Sequence, residues 1–213
     1  MTDASLLERP HLFLSADPSS TAPPLLLLHG TGGSEHDLLP LRDLLDPGAA
    51  VLAVRGTVVD NGMNRFFRRL REGVFDEVDL RRQADDLAAF VEVARSAYEL
   101  EDQRLLAVGF SNGANMASAL LLQHPGLLAG AVLLSAMVPF AEPPAVDLTG
   151  RLVVVSNGDR DPLIPTASTE QLVHQLRDRG ADVRSLGFPG GHQISGSMLP
   201  EIRRLLNGLT RSA

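Results

Sequence analysis

The sequence predicts one α/β domain, a central and mostly parallel sheet flanked by helices. Three observations predict it. Short, wholly apolar runs, of which Leu25–Leu28 is the plainest, read as strands covered on both faces. Stretches with apolar residues at helical spacing lie between them, joined by short connectors, which is the alternation that builds parallel crossovers. At 213 residues, 44% hydrophobic and 21% charged, the chain can bury one good core but is too short for two ordinary domains and a linker. Residues 1–24 are read as an N-terminal segment and residues 25–213 as the domain.

In chain order, His11–Leu14 suits a short edge strand, which the Pro/Ser connector Asp17–Pro24 cannot continue. Leu25–Leu28 is the first buried strand. Leu38, Leu41, Leu44 and Leu45 recur at helical spacing, and Ala50–Val54 is a second buried strand. Gly56–Gly73, with Asn61-Gly62, two phenylalanines and four arginines, reads as an irregular working loop. Leu80, Ala84, Leu87, Ala88, Val91 and Ala94 mark an amphipathic helix over Glu77–Tyr98, with acids in its first turn as the helix dipole favours. Further strands are predicted at Leu105–Phe110, Gly130–Leu134, Leu152–Ser156 and Val183–Phe188. Helices are predicted at Asn112–Gln123, Ser168–Arg179 and Ser197–Leu206. No internal repeat or low-complexity tract occurs.

Composition removes several kinds of function. A formal net charge of −7 argues against an extended nucleic-acid footprint. There are no cysteines, so disulfides, thiolate nucleophiles and cysteine metal sites are excluded. Met1–Pro10 carries Asp3, Glu8 and Arg9 where a secretory peptide needs an apolar core, and no apolar run reaches membrane-spanning length. A cytoplasmic protein without membrane attachment is expected, and a homodimer stays open. No H-E-x-x-H motif occurs, and Gly30–Ser34 lacks the Gly-Lys-Ser/Thr ending of a phosphate loop, so neither metal nor nucleotide cofactor is expected.

In such a sheet, ligands collect where strands end at their C-termini. Gly109-Phe110-Ser111-Asn112-Gly113 stands at one such end, between an apolar run and a small-residue helix, which is the setting of a nucleophile elbow. Roughly one sequence in ten of this composition would contain G-x-S-x-G by accident, so the context decides. A serine hydroxyl attacks only when a histidine takes its proton, and that histidine needs a carboxylate on its other nitrogen. The loop after Leu152–Ser156 supplies Asp159 and Asp161, and His192 follows the last strand on Gly190-Gly191. Serine, acid and histidine thus occur in the order of an α/β-hydrolase. Either aspartate could serve: Pro162 biases Asp161 towards extended backbone, whereas Asp159 follows Gly158 in a turn. Gly30-Thr31-Gly32, past the first buried strand, can turn a backbone N–H towards a developing oxyanion alongside that of Asn112. His29 is expected to brace that loop, and His124 and His174 to be structural or solvated.

Leu28–Gly33, Gly109–Gly113, Gly158–Pro165 and Gly191-His192 resemble the phospholipase/carboxylesterase family of small α/β-hydrolases, and the resemblance extends over almost the whole chain after Pro24. Asn61–Arg69 is similar to a narrower branch, bacterial esterases associated with hydroquinone or metal stress. The resemblance implies an α/β-hydrolase fold, and since no long insertion interrupts the chain before the acid loop, no large lid is expected. It implies Ser111 as nucleophile and His192 as base and then acid, with Thr31 and Asn112 as backbone oxyanion donors. Asp161 is implied as the orienting acid, since it stands directly before Pro-Leu-Ile-Pro. The acyl-protein thioesterases of the family read G-F-S-Q-G-G, where this chain has Asn112 and Ala114. Dienelactone hydrolases share the fold but need a cysteine nucleophile.

The resulting expectation is a serine carboxylesterase that cleaves small soluble esters through an acyl-enzyme. A thioesterase or lysophospholipase is the neighbouring alternative, and a non-catalytic ligand receptor on the same fold is the alternative of another class. Met63, Phe66 and Phe67 are candidates to line the substrate pocket, joined by Met137 and Leu163 from other strand ends. Arg65, and with it Arg68, Arg69 and Arg71, either binds a substrate carboxylate or pairs with Glu72, Asp76 and Glu77.

Overall fold

The computed structural model describes residues 6–209. Residues 1–5 of the N-terminal segment and residues 210–213 lie outside the described residues. The chain runs through β1 (His11–Leu14), β2 (Leu25–Leu28), α1 (Pro40–Leu45), β3 (Val51–Val54), β4 (Val58–Asp60), β5 (Met63–Arg65), β6 (Arg69–Arg71), β7 (Val74–Phe75) and α2 (Glu77–Ala97). It continues through β8 (Leu105–Phe110), α3 (Asn112–Gln123), β9 (Leu128–Leu134), β10 (Leu152–Gly158), α4 (Thr166–Arg177), β11 (Asp182–Phe188) and α5 (Leu199–Leu209).

Seven strands form one sheet in the order β1-β3-β2-β8-β9-β10-β11. Every pairing in it is parallel except that of β1 with β3. The fold is therefore the predicted α/β arrangement, and β2 shows why its strands are apolar throughout. Leu26 and Leu28 enter the core on the face covered by α2, α3 and α4, while Leu25 and Leu27 enter the core beneath α1 and α5. Successive side chains alternate between two buried faces, so no position is left for a polar residue.

Local chemistry sets the helix starts. Asp76 caps α2 by accepting a hydrogen bond from the Asp79 N–H at 3.1 Å. Pro40 opens α1, where its missing N–H costs nothing. β9 and β10 are joined without a helix, and Phe140 and Leu148 anchor that connection in the core. No helix among the described residues is long and apolar enough to cross a membrane.

The segment read as an irregular loop is two small antiparallel hairpins, β4-β5 and β6-β7. Asn61 (φ 51°) and Gly62 (φ 76°) turn the first one with both residues left-handed, the geometry for which Asn-Gly is favoured. This hairpin is latched onto the loop after β2. Gly32 N–H donates to the Asn64 carbonyl (2.8 Å), and the Asn64 amide donates to the Gly33 carbonyl (2.9 Å).

Candidate active site

Ser111 sits between β8 and α3 with φ 52° and ψ −114°, a backbone conformation that costs a non-glycine residue of order 1–3 kcal/mol. The surroundings enforce it. Ser111 N–H donates to the Leu134 carbonyl (2.8 Å). A Cβ at Gly109 would come within 2.4 Å of the Gly113 carbonyl oxygen, so only glycine lets the strand fold back so closely on the helix.

The Ser111 hydroxyl lies 2.8 Å from His192 Nε2, and His192 Nδ1 lies 2.8 Å from Asp161 Oδ2. Asp161, its side chain fully buried, also accepts from the Leu163 (2.8 Å) and Ile164 (3.2 Å) N–H groups through Oδ1. Both carboxylate oxygens are thus engaged and the side chain is locked. Asp159 is exposed in the preceding turn and takes no part. The His192 ring packs against Phe110, 5.4 Å between centroids.

A cavity of about 310 Å³ opens over Ser111, with Thr31, Asn112, Phe110 and His192 around it. As the first residue of α3, Asn112 has no intrahelical acceptor for its N–H. The Asn112 side chain is occupied elsewhere, for Oδ1 accepts from the Phe66 N–H at 2.7 Å. Thr31 Oγ1 accepts from an Arg65 terminal nitrogen at 2.7 Å, and among the described residues no hydrogen bond uses the Thr31 N–H.

The candidate pocket residues divide. Arg65, Met137 and Leu163 line the cavity. Phe66 and Phe67 do not. They are 1% and 0% exposed and pack in the core, Phe66 beside the His29 ring and Phe67 edge-on to Phe75. After Arg65 the chain leaves β5 and turns inward, which carries both rings away from the cavity. Met63 is exposed on the hairpin, against Gly32, and is not part of the wall. Sequence reasoning missed Phe75, Ser135 and Asn115, all of which line the cavity. Ser135 directly follows β9 and, like Ser111, has a positive φ (54°), so strand-end position was the available signal. Asn115 lies three residues along α3 from Asn112, and that spacing puts both on one helix face.

Two buried groups carry environment-shifted acidities. His29 is 1% exposed, and burial pushes its pKa down. Nε2 accepts from the Gly56 N–H (3.0 Å), which leaves the proton on Nδ1 to donate to the Gly30 carbonyl (2.5 Å). A neutral imidazole therefore braces the Thr31 loop. Burial, and after it the neighbouring Arg69 charge, push the Arg65 guanidinium below its ordinary range, with Asp60 opposing them. The remaining histidines named from sequence stand apart: His124 meets Asp85 at 2.9 Å, and exposed His174 meets Asp178 at 3.2 Å. No group of three or more His, Cys, Asp or Glu side chains arranged to hold a metal ion occurs among the described residues.

The chain has clear relatives. Residues 68–209 match the Phospholipase/Carboxylesterase family. The chain is 46% identical over 171 residues to MhqD of Bacillus subtilis strain 168, which carries the name of a hydrolase; the match takes in 80% of this chain and 86% of MhqD. The crystal structure of the Bacillus cereus carboxylesterase superposes with a TM-score of 0.92 at 37% identity, covering 98% of this chain and 100% of that one. A carboxylesterase from Mesorhizobium loti superposes with a TM-score of 0.87 at 32% identity, covering 94% and 95% of the two chains.

Proposed function

The chain belongs to the phospholipase/carboxylesterase family of α/β-hydrolases and is a carboxylic ester hydrolase, and from that premise we propose that it cleaves small esters through an acyl-enzyme on Ser111. The observation that carries the reading is the unbroken line Ser111 Oγ, His192 Nε2, His192 Nδ1, Asp161 Oδ2, with 2.8 Å at each hydrogen bond, under an open cavity.

In this reading Asp161 holds the His192 proton on Nδ1 and leaves Nε2 free as a base. Ser111 Oγ attacks the ester carbonyl carbon while its proton passes to Nε2. The carbonyl oxygen becomes an oxyanion that the Thr31 and Asn112 N–H groups receive, and each such donor is worth roughly 100- to 1000-fold in rate. The Nε2 proton goes to the leaving alkoxide, the C–O bond breaks and the alcohol departs. Water, deprotonated in turn by His192, then releases the acid and restores Ser111.

A cavity of about 310 Å³ without a covering domain suits short acyl chains better than a lysophospholipid. Turnover of the ester, rather than retention of a ligand, separates this reading from a receptor. A fluorophosphonate probe is expected to label the protein, and p-nitrophenyl butyrate to be turned over steadily. Ser111→Ala should abolish both, and labelling that persists in the variant would sink the assignment.

A further inference from the structure

One wall of the cavity carries two arginines whose shared carboxylate partner stands at the outer limit of an ion pair. Arg65 is 4% exposed and Arg69 35%, and both line the cavity. They share one carboxylate: Asp60 Oδ2 is 3.9 Å from Nε of each, at the outer edge of an ion pair. Of the other acids expected to neutralise this stretch, two are engaged away from it and the third, Glu72, lines the same cavity. Asp76 caps α2, and Glu77 accepts from the Ala141 N–H at 2.9 Å. Glu72 is exposed at the cavity mouth and forms no ion pair among the described residues. Of the five N–H bonds of the Arg65 guanidinium, one goes to the Phe67 carbonyl (3.1 Å) and one to Thr31 Oγ1 (2.7 Å). Guanidinium donors are left over beside Thr31, on the cavity wall.

We propose that this wall selects esters that carry a second, free carboxylate, received by Arg65 and Arg69. The proposal rests on the esterase reading above and supplies its substrate class. A carboxylate brings two acceptor oxygens to a planar donor fork and relieves the crowding of two like charges, neither of which a neutral ester can do. The low-dielectric setting of a nearly buried guanidinium makes that difference larger than at an open surface. Because Arg65 bonds to the side chain of Thr31, whose N–H faces the oxyanion in the reading above, the free carboxylate and the scissile carbonyl must be only a few bonds apart. Small half-esters meet that condition, and long acyl chains do not.

The test uses the purified full chain, acid release at constant pH, and two pairs of closely matched shape. Monoethyl glutarate against ethyl hexanoate puts the charge on the acyl half; the acetyl ester of glycolic acid against isobutyl acetate puts it on the alcohol half. In one pair or the other, kcat/KM is expected to be at least about tenfold higher for the anionic member, with an advantage that shrinks as salt is added. Arg69→Gln should lower that ratio, and Arg69→Lys should retain part of it; melting temperatures confirm that both variants are folded. Turnover of the neutral esters with no anionic preference in either pair would overturn the proposal and leave the esterase reading standing. A preference that both Arg69 variants and Arg65→Lys leave unchanged would overturn the assignment to these arginines. Failure to turn over any ester, together with no labelling of Ser111, would instead remove the reading on which the proposal rests.

Discussion

Gly113→Ala is the sharpest probe of how the fold holds Ser111. Gly113 is the second residue of α3 and passes against the end of β2: a Cβ there would lie 2.0 Å from the Leu28 carbonyl oxygen and 2.5 Å from that of His29. Real Cβ atoms essentially never approach within 3.0 Å, so helix and strand must part by about 1 Å (3.0 minus 2.0). Both obstacles are backbone atoms, one in the last residue of β2 and one in the residue that follows it, and cannot swing aside. The cost therefore belongs at or beyond the upper end of overpacking, about 3 kcal/mol. For a domain of this size that lowers Tm by about 6–12 °C. Helix propensity alone has the opposite sign, since alanine is favoured over glycine inside a helix by about 1 kcal/mol. The displaced first turn carries the Ser111 hydroxyl and the Asn112 N–H, and a shift of about 1 Å at reacting groups costs on the order of 100-fold in rate. Thermal melting and kcat/KM for p-nitrophenyl butyrate read the two effects, with Gly126→Ala, which meets nothing within 4 Å, as the control. A Gly113→Ala protein that melts within about 2 °C of wild type and keeps more than about a third of its kcat/KM would refute the close-approach reasoning.

Asp161→Asn should cut kcat/KM by about 1,000- to 10,000-fold with little change in Tm, because the amide keeps the bonds from Leu163 and Ile164 but loses the charge beneath His192. Asp159→Asn, in an exposed turn, should change it less than about twofold, and the reverse pattern would move the acid role to Asp159. His29 has a folded pKa below its ordinary value of 6.5, so above about pH 6.5 both folded and unfolded forms are neutral there and it adds no pH dependence. Below that pH the unfolded chain takes up the proton first, and stability is lost as pH falls towards the folded pKa. His29→Gln should therefore show a smaller drop in Tm than wild type between pH 7.5 and 5.5 (about one unit either side of the ordinary value), and an equal drop would acquit His29. Phe67→Ala should cost about 3–5 kcal/mol of stability while leaving the acyl-length profile of hydrolysis unchanged. A shifted profile with unchanged Tm would return Phe67 to the pocket wall.

The strands that carry the candidate site were legible because a parallel strand buried on both faces has a distinctive sequence. Leu25–Leu28 and Val51–Val54 have no polar position, and the residues that end each such run are the ones that gather over the sheet. That rule alone points to Thr31, Ser111, His192 and the pair Asp159 and Asp161, between which the family resemblance, not the rule, chose. The hairpins of residues 58–75 were not legible in the same way. Their strands are two or three residues long and rich in arginine, so neither alternation nor hydrophobicity marks them, and Asn61-Gly62 was the surviving signal. Missing the hairpin had a consequence for charge. Proximity along the chain suggested Glu72, Asp76 and Glu77 as partners for the arginines, whereas the β4-β5 turn brings Asp60 back beside Arg65. It also concealed which way Phe66 and Phe67 face, since the direction of a side chain after a reversal depends on the reversal itself.

An open site needs rigidity from something other than a lid, and here asparagine side chains, three of them buried and Asn64 half-buried, supply it. Loops at the ends of parallel strands leave backbone groups without ladder partners, and an unpaired buried group costs about 1–3 kcal/mol. Four asparagines answer this by joining one loop to the next. Asn64 holds the Gly33 carbonyl, Asn112 the Phe66 N–H, and Asn115 the Met137 N–H at 2.8 Å. Asn157 takes both the N–H and the carbonyl of Ala136, and its amide reaches Thr169 Oγ1 as well. The short amide matters because it carries a donor and an acceptor only one methylene from the backbone, so a bond through it fixes the distance between two main chains. In that light the difference between Asn112 and the glutamine of G-F-S-Q-G-G concerns geometry more than the oxyanion. The backbone N–H is common to both residues, and here the Asn112 side chain accepts from the Phe66 N–H at 2.7 Å, next to the end of the arginine-bearing hairpin. The same residue thus belongs to the nucleophile turn by its main chain and, by its side chain, holds Phe66, the neighbour of Arg65.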